Sequence, residues 1–434
     1  MARRRERRVE PRQDRRRQRV GDSTPEDKLS DSGSSDRKLI IIFVVFFIVI
    51  PAVSVLVYSI KYGSSEKRPE PVVIERGLIK SDISFNEILH THSKVEENPT
   101  RHYDYPVLAY ITPWNSRGYE MAKRFNSKFT HLSPVWYDLK SQGGSLILEG
   151  RHNADKEWLL ELRVEGEALV LPRVVLEAFP QELLKKKEQW DKAIDLIVTE
   201  CKEMEYDGIV LESWSRWAAY GILHDPEMRN LALKFVKELG HALHSARSTW
   251  NPKQQLQLVY VIGPPYSENL QQHDIRPEEL QSLSAAVDGF SLMTYDFSPH
   301  NDPGPNAPLS WIRSTLKLLL GPPGPKAARL APKIFLGINF FGNDFVLTAG
   351  GSGGGAIIGR DYLSLLEKHK PIFQWERNSG EHLFFYSDDK DYRHAVFYPT
   401  LMSISLRLEE ARSWGTGISI WEIGQGLDHF FDLL

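Results

Sequence analysis

Residues 206–214 read Tyr-Asp-Gly-Ile-Val-Leu-Glu-Ser-Trp. A short apolar run lies in the middle of this stretch, as is typical of a buried β-strand. Because side chains alternate along a strand, Val210, Glu212 and Trp214 are predicted to share one face. The stretch therefore predicts a strand that ends in a carboxylate, Glu212, with an indole at Trp214 two residues further on.

Short apolar runs of this kind alternate with helix-like stretches along most of the chain. This order predicts repeated βα units and an α/β fold with a parallel sheet. Eight such runs predict a (β/α)8 TIM barrel, whose functional residues lie at the carboxyl ends of the strands. The predicted strands are 107–112, 129–135, 168–175, 206–212, 256–262, 287–294, 334–339 and 417–421.

Two further motifs lie at the predicted sixth and eighth strands, Met293-Thr-Tyr-Asp296 and Ile418-Ser-Ile-Trp421. With residues 206–214 they resemble the sixth, eighth and fourth strands of glycoside hydrolase family 18. The resemblance runs from about residue 70 to the carboxyl end of the chain. Longer segments resemble the chitinase-like branch of that family: Tyr110 to Asn115, Pro305 to Trp311 and Trp421 to Asp428.

The resemblance implies a saccharide site, in which Tyr295 and Asp296 hold an N-acetyl group and Trp421 lies under the central sugar. Its implied ligands are amino-sugar oligosaccharides such as chitooligosaccharides. It also implies a small α+β insertion between strands 7 and 8, within residues 340–400. A lysosomal or secreted destination and a stabilin-type scavenger receptor as partner are implied as well.

The fourth-strand motif departs from the family pattern Asp-Gly-x-Asp-x-Asp-x-Glu. Asp207 and Gly208 match, whereas Val210, Glu212 and Trp214 replace Asp, Asp and the catalytic Glu. An indole N–H is not a useful acid, and general acid catalysis contributes about 10²–10⁴-fold in rate. The sequence therefore predicts a lectin-like saccharide-binding protein with a degenerate catalytic motif.

Two alternatives stay open at this point. Glu212 and Glu177 could form a relocated catalytic pair, assisted by Asp296 and Tyr295, in which case the protein is a glycosidase. The barrel could instead serve only as a protein-interaction scaffold. A glycosidase needs two carboxyl groups facing one cavity, whereas a scaffold would have its cleft filled by its own loops.

Aromatic and polar residues gather at the predicted carboxyl ends of the strands, where they suit sugar rings and hydroxyl groups. For the tryptophans the alternative is core or rim packing, and for Glu177 and Glu422 it is helix capping or an arginine partner. The candidate saccharide-binding residues are Trp114, Trp136, Glu177, Glu212, Trp214, Tyr295, Asp296, Asn339, Trp421 and Glu422.

The first 105 residues differ in character from the rest. Residues 1–38, with ten Arg in the first 20, are predicted to be a disordered cytosolic tail, and residues 61–105 a stalk that ends in a barrel-packing segment. The uncharged run 39–60 is long enough for a transmembrane signal anchor. Together they predict a single-pass type II membrane protein, with the barrel, 106–434, in the lumen of the secretory or lysosomal pathway or outside the cell.

Other features exclude some classes of function. The formal net charge of −3 argues against a nucleic-acid partner. The histidines show no metal-ligand spacing, so we expect no metal and no cofactor. Cys201 is the single cysteine, so no internal disulfide can form. The run Gly350 to Gly355 lacks the Lys-Ser/Thr of a phosphate loop and is predicted to be a flexible loop.

Overall fold

The computed structural model describes residues 33–54, 71–96, 100–299, 301–348 and 351–434. Two units are distinguished, Met1–Arg68 and Pro69–Leu434. Most of the predicted Arg-rich tail, the end of the predicted anchor and the start of the predicted stalk lie outside the described residues. The boundaries of the predicted tail and of the predicted stalk therefore stay predictions.

The described part of the first unit corrects the predicted membrane anchor. Its first helix, α1, spans Gly33–Val44 and is followed by a π-helical turn, Val45–Val49, after which residues 50–54 are again α-helical. Nowhere in the described residues is there a helix with the length and apolar character needed to span a membrane. The predicted transmembrane helix at 39–60 is therefore wrong, and so is the type II topology that was based on it.

The second unit contains all the strands of the described residues. The predicted strand 168–175 is present as two segments, because the strand, though not the chain, is interrupted at Leu171 and Pro172. The strands are β1 Val107–Ile111, β2 His131–Gln142, β3 Ser145–Glu149, β4 Leu169–Val170, β5 Arg173–Leu176, β6 Gly208–Glu212, β7 Gln257–Ile262, β8 Gly289–Leu292, β9 Ile334–Asn339, β10 Gly342–Thr348, β11 Gly351–Ile357, β12 Gln374–Glu376, β13 Glu381–Ser387, β14 Arg393–Phe397 and β15 Gly417–Trp421.

Eight parallel strand positions close into a barrel. The order is β1, β2, β4 with β5, β6, β7, β8, β9 and β15, and β15 pairs back onto β1. Each predicted barrel strand overlaps one of these positions, so the predicted (β/α)8 barrel is confirmed. The closing register pairs Leu108 with His131 on one side and with Ser419 on the other.

Helices follow most barrel strands and form the outer layer. Their amphipathic sequences place the apolar side against the sheet. In the helix Pro226–Ser245, for example, Phe235, Val236, Leu239 and Leu243 are buried. The remaining helices are α2 Val72–Glu75, α3 Phe85–Thr91, α4 Ser116–Arg124, α5 Lys156–Glu165, α6 Pro180–Lys185, α7 Lys187–Glu203, α8 Trp214–Ala219, α9 Pro226–Ser245, α10 Pro277–Leu283, α11 Leu309–Leu320, α12 Pro325–Leu330, α13 Gly359–His369 and α14 Leu401–Trp414.

The core has two main layers. A large apolar cluster lies between the sheet and the outer helices. A smaller one fills the barrel interior and includes Leu108, Tyr110, Val210, Val259 and Phe335. Inward-pointing side chains from neighbouring strands thus make the barrel a packed core, not a pore. The functional residues must therefore lie above this interior cluster, at the carboxyl ends of the strands.

Asp207 anchors the amino end of the fourth barrel strand. Its carboxylate accepts hydrogen bonds from the Val170 N–H at 2.9 Å and the Ser248 hydroxyl at 2.9 Å, and pairs with Arg163 at 2.6 Å. Gly208 has φ +144°, and a Cβ there would collide with the Gln257 backbone, so glycine is required. This Asp-Gly pair therefore fixes the strand that carries Glu212.

Residues 342–397 form an insertion between β9 and the helix that leads to β15. Its antiparallel sheet has the order β11-β10-β14-β13-β12, and α13 lies between β11 and β12 in the chain. The α+β insertion is therefore present at its predicted place. The glycine run differs from its prediction, because Gly351–Ile357 is a strand paired with β10. Backbone hydrogen bonds alone hold a ladder, so side chains are not needed for that pairing.

The segment before the barrel packs on it through α2 and α3. Val73 and Ile88 belong to the large apolar cluster, and Ser84 begins α3 with a capping box to Glu87. The Glu96 N–H donates to Asp432 Oδ1 at 2.9 Å. Residues 71–96 therefore make both apolar and polar contacts with the rest of the second unit.

Candidate functional site

Glu212 ends β6 with its side chain largely buried at the barrel mouth. Its carboxylate forms an ion pair with Arg173, which begins β5 on the neighbouring strand position, and Ser215 Oγ donates to Glu212 Oε1 at 3.1 Å. The side chains of Arg173 and Glu212 are 14% and 11% exposed. Glu212 is thus the predicted inward-facing carboxylate, and the Arg173 guanidinium balances its charge.

Arg173 was missed by the sequence reasoning. Its guanidinium lies over the Trp421 ring at 5.2 Å, besides pairing with Glu212. Burial lowers the pKa of Arg173, although a guanidinium stays charged at any ordinary pH. A charged residue inside an otherwise apolar strand was the available signal, because a buried charge needs a partner.

Trp421 ends β15 and lies beside Tyr110 at the centre of the mouth. The two ring centroids are 5.3 Å apart with the planes inclined by 53°. Tyr110 donates to Ser291 Oγ at 2.7 Å, and burial raises its pKa. Trp421 is partly exposed, so part of its ring reaches solvent beside Tyr110 and Arg173.

Tyr295 and Asp296 lie on the loop that follows β8. Burial is the main cause that raises the pKa of Tyr295 well above its usual value, and Tyr110 and Asp296 raise it further while Arg173 opposes them. The phenol therefore stays protonated and can donate a hydrogen bond. Asp296 is exposed, has φ +57°, and its N–H donates to Asn306 Oδ1 at 2.7 Å.

A buried ion pair between the insertion and α14 supports the loop that carries Tyr295 and Asp296. Glu381 accepts hydrogen bonds from the N–H groups of Asn306 at 3.0 Å and Ala307 at 2.7 Å. The same carboxylate pairs with Arg407 of α14 at 2.9 Å, and both side chains are less than a tenth exposed. The backbone before α11 is therefore fixed by β13, which lies outside the barrel.

Trp214 does not lie on the Glu212 face. The strand ends at Glu212, and Trp214 is the first residue of α8, where strand alternation no longer applies. The indole is 3% exposed, donates to the His273 carbonyl at 2.8 Å and has the Arg229 guanidinium 5.0 Å from its ring. The place of the family acid is therefore taken by a buried structural tryptophan.

Glu422 and Trp136 also point away from the mouth. Glu422 is fully buried, accepts from Asn115 Nδ2 at 2.6 Å, and begins the turn Ile423–Gln425. Burial raises the pKa of Glu422 to about 7. Trp136 is 3% exposed and donates to the Tyr119 hydroxyl at 2.7 Å. Both residues hold neighbouring elements together.

The remaining candidates lie near the rim of the mouth. Glu177 follows β5 and forms an ion pair with Arg216 of α8. Trp114 is 72% exposed after β1. Asn339 ends β9, is buried, and donates to the Phe341 carbonyl at 2.8 Å. The two carboxylates weighed as a relocated catalytic pair, Glu212 and Glu177, thus each have an arginine partner.

The described residues include no group of three or more His, Cys, Asp or Glu side chains placed to hold a metal ion. Cys201 is buried, which strongly raises the pKa of its thiol. Its sulfur lies 3.8 Å from the Gly208 carbonyl. The chemistry of the mouth is therefore that of carboxylate, guanidinium, phenol and indole groups.

A closed (β/α)8 barrel with these groups at the carboxyl ends of its strands defines a class, the carbohydrate-directed barrels of glycoside hydrolases. The profile described as "Glycosyl hydrolases family 18" matches residues 179–426, more than half of the chain. The chain therefore belongs to glycosyl hydrolase family 18, as the sequence motifs predicted.

Two solved structures illustrate the shared fold. A chitinase from Chromobacterium violaceum ATCC 12472 aligns with TM-score 0.62 and 21% identity, over 76% of this chain and 98% of its own. A variant GH18 chitinase from Cycas revoluta, in complex with (GlcNAc)4, aligns with TM-score 0.60 and 16% identity, over 75% of this chain and 97% of its own. At these identities the likeness shows the fold alone.

One curated relative is a cortical fragment-lytic enzyme from Bacillus subtilis (strain 168). It is 24% identical over 204 residues, which are 46% of this chain and 44% of the relative. The chain therefore matches less than half of that protein's length.

Proposed function

We propose that this protein is a non-hydrolytic, lectin-like member of family 18 that binds N-acetylated amino-sugar oligosaccharides at the barrel mouth. The observation that carries the proposal is the Arg173–Glu212 ion pair in contact with the partly exposed ring of Trp421. The pair keeps the mouth's buried carboxylate engaged while leaving an aromatic surface for a sugar ring. Sugar rings pack their C–H faces on such surfaces.

Hydrolysis in this family uses the substrate's own acetamido group, so the protein must still protonate the leaving oxygen. A guanidinium partner favours an ionised carboxylate, whereas a general acid must carry a proton. Trp214, at the acid's place in the motif, is buried and bonded to His273. Lost acid catalysis corresponds to about 3–5 kcal/mol of barrier.

Binding requires less of the protein than hydrolysis does. Tyr295 keeps its proton and can donate to an acetamido oxygen, and the Asp296 carboxylate can accept from an N–H or hydroxyl group. Trp421 with Tyr110 would lie under the ring. The (GlcNAc)4-bound relative shares this fold, which supports the choice of N-acetylated sugars as ligands.

Trp421→Ala is expected to weaken (GlcNAc)4 binding about 5- to 150-fold, because stacked aromatic platforms contribute about 1–3 kcal/mol per ring in nucleic-acid binding, taken here by analogy. Calorimetry with (GlcNAc)4 and its de-N-acetylated counterpart checks this. Trp250→Ala is the matched control, since Trp250 is 51% exposed and contacts Arg163 near the amino ends of the strands. Equal affinity in the wild type and Trp421→Ala would contradict the proposed platform.

The wild-type protein is expected to release no product from (GlcNAc)4 above background, because no acid is placed over the leaving oxygen. Reducing-end assays from pH 4 to 8 check this expectation. Turnover that disappears in Glu212→Gln, in a variant still shown to be folded, would support the glycosidase alternative with relocated carboxylates. A stabilin-type scavenger receptor stays a partner predicted from the resemblance.

A further inference from the structure

A groove of about 250 Å³ lies on the flank of the barrel, between the loop after β7 and the outer helix α11. Three rings form its apolar surface. Tyr266 and Trp311 are stacked, with centroids 5.8 Å apart and planes 22° apart, and Phe297 lies 5.0 Å from Trp311. The Trp311 indole donates to the Pro265 carbonyl at 3.0 Å, which fixes the loop against the helix.

The outer ring of this stack is open to solvent. Tyr266 is 62% exposed, although an apolar ring of this size normally contributes to a core or an interface. Because Trp311 is buried and supports it from behind, the Tyr266 ring is held as a flat, preformed platform.

Polar groups lie beside the platform. Thr315 contributes to the lining, is 2% exposed, and its hydroxyl has no hydrogen-bond partner among the described residues. An unpaired buried hydroxyl costs free energy that a ligand hydroxyl would recover. Ser310 and Ser314 are exposed four residues apart on the same side of α11, and both line the groove.

The charges of the groove select among ligands. Its lining includes the Glu268 carboxylate and no arginine or lysine, so phosphate and carboxylate ligands are disfavoured. A single open aromatic face beside one carboxylate is also compatible with a cation, and the test therefore includes one. A flat ring with neighbouring hydroxyl groups and one carboxylate suits a neutral polyol ring.

We propose that this groove is an accessory saccharide site that binds one neutral pyranose unit, with the ring stacked on Tyr266 and a hydroxyl group bonded to Thr315. Its volume of about 250 Å³ lies below the roughly 300–1,000 Å³ of pockets for drug-sized ligands, as expected for a single sugar unit. The site does not depend on saccharide binding at Trp421. It lies on the side of the barrel mouth where Phe297 directly follows Asp296.

The test uses the full chain with N-acetylglucosamine and glucose as probes, observed by saturation-transfer NMR and by Tyr and Trp fluorescence. In a Trp421→Ala background, saccharide binding is expected to persist. Adding Tyr266→Ala is then expected to weaken it about fivefold or more. Thr315→Val keeps the side-chain shape, and is expected to weaken binding while leaving the thermal midpoint unchanged or higher.

Tyr220→Ala is the matched control, since Tyr220 is a tyrosine of similar exposure, 54%, at the end of α8. It is expected to leave binding unchanged. Three results would overturn the proposal: loss of all saccharide binding in Trp421→Ala alone, equal affinity with and without Tyr266→Ala, or binding of tetramethylammonium but of neither sugar.

Discussion

Glu212→Gln is expected to lower the free energy of unfolding by about 3–5 kcal/mol, the usual cost of breaking a buried ion pair from one side. The amide would leave the Arg173 guanidinium largely buried and without a countercharge. Arg173→Met is expected to cost less, because a lone Glu212 can take up a proton whereas a guanidinium cannot release one. Urea unfolding of both variants measures the difference.

The double variant Arg173→Met with Glu212→Gln removes both charges of the pair at once. It is expected to be more stable than Glu212→Gln alone, since no uncompensated charge remains. Asp191→Asn is a control on an exposed pair, because Asp191 bonds to Lys187 at 2.8 Å with both side chains more than half exposed. It should cost less than about 1 kcal/mol. A similarly small cost for Glu212→Gln would mean that the mouth does not hold a buried ion pair.

Glu422→Gln is expected to remove a pH dependence of stability. Burial raises the pKa of Glu422 from its ordinary value of 4.5 to about 7, so the native state binds a proton more tightly than the unfolded chain does. The stabilising contribution is therefore complete below about pH 4.5, and it is lost as the pH rises through about 7. The whole contribution is about 3 kcal/mol.

The glutamine variant mimics the protonated side chain and can still bond to Asn115. Its stability is expected to match that of the wild type near pH 4.5 and to exceed it by about 3 kcal/mol near pH 8. Urea unfolding at both pH values measures this, with the exposed Glu165→Gln as control. Parallel pH profiles for the wild type and Glu422→Gln would show that folding does not raise the pKa of Glu422.

The barrel was predictable because a parallel sheet is buried on both faces. Each of its strands is therefore a short apolar run that can be recognised in the sequence. The inward direction of Glu212 followed from alternation along the same strand. Trp214 was misplaced because alternation holds only while the strand lasts, and α8 begins immediately after Ser213. Where a strand ends depends on tertiary packing, which the local pattern does not record.

Other site features depend on contacts between distant segments. Arg173 contacts Glu212 and Trp421 only when the barrel closes. No local motif therefore predicts that these three residues meet. Glu422 is one residue from Trp421 yet points the opposite way, under the start of α4. The predicted membrane anchor was wrong because an uncharged run was taken as sufficient, whereas none of the described helices has the length and apolar character needed to cross a membrane.

The Glu381 carboxylate links the insertion to the loop that carries Asp296. A chimaera that exchanged residues 342–397 for a piece without a carboxylate at the place of Glu381 would remove the acceptor for the N–H groups of Asn306 and Ala307, and would leave Arg407 without its anion. Since Asn306 also holds the Asp296 backbone, such a graft would disturb the mouth from a distance. In this chain the insertion and the sixth-strand loop therefore have to be exchanged together.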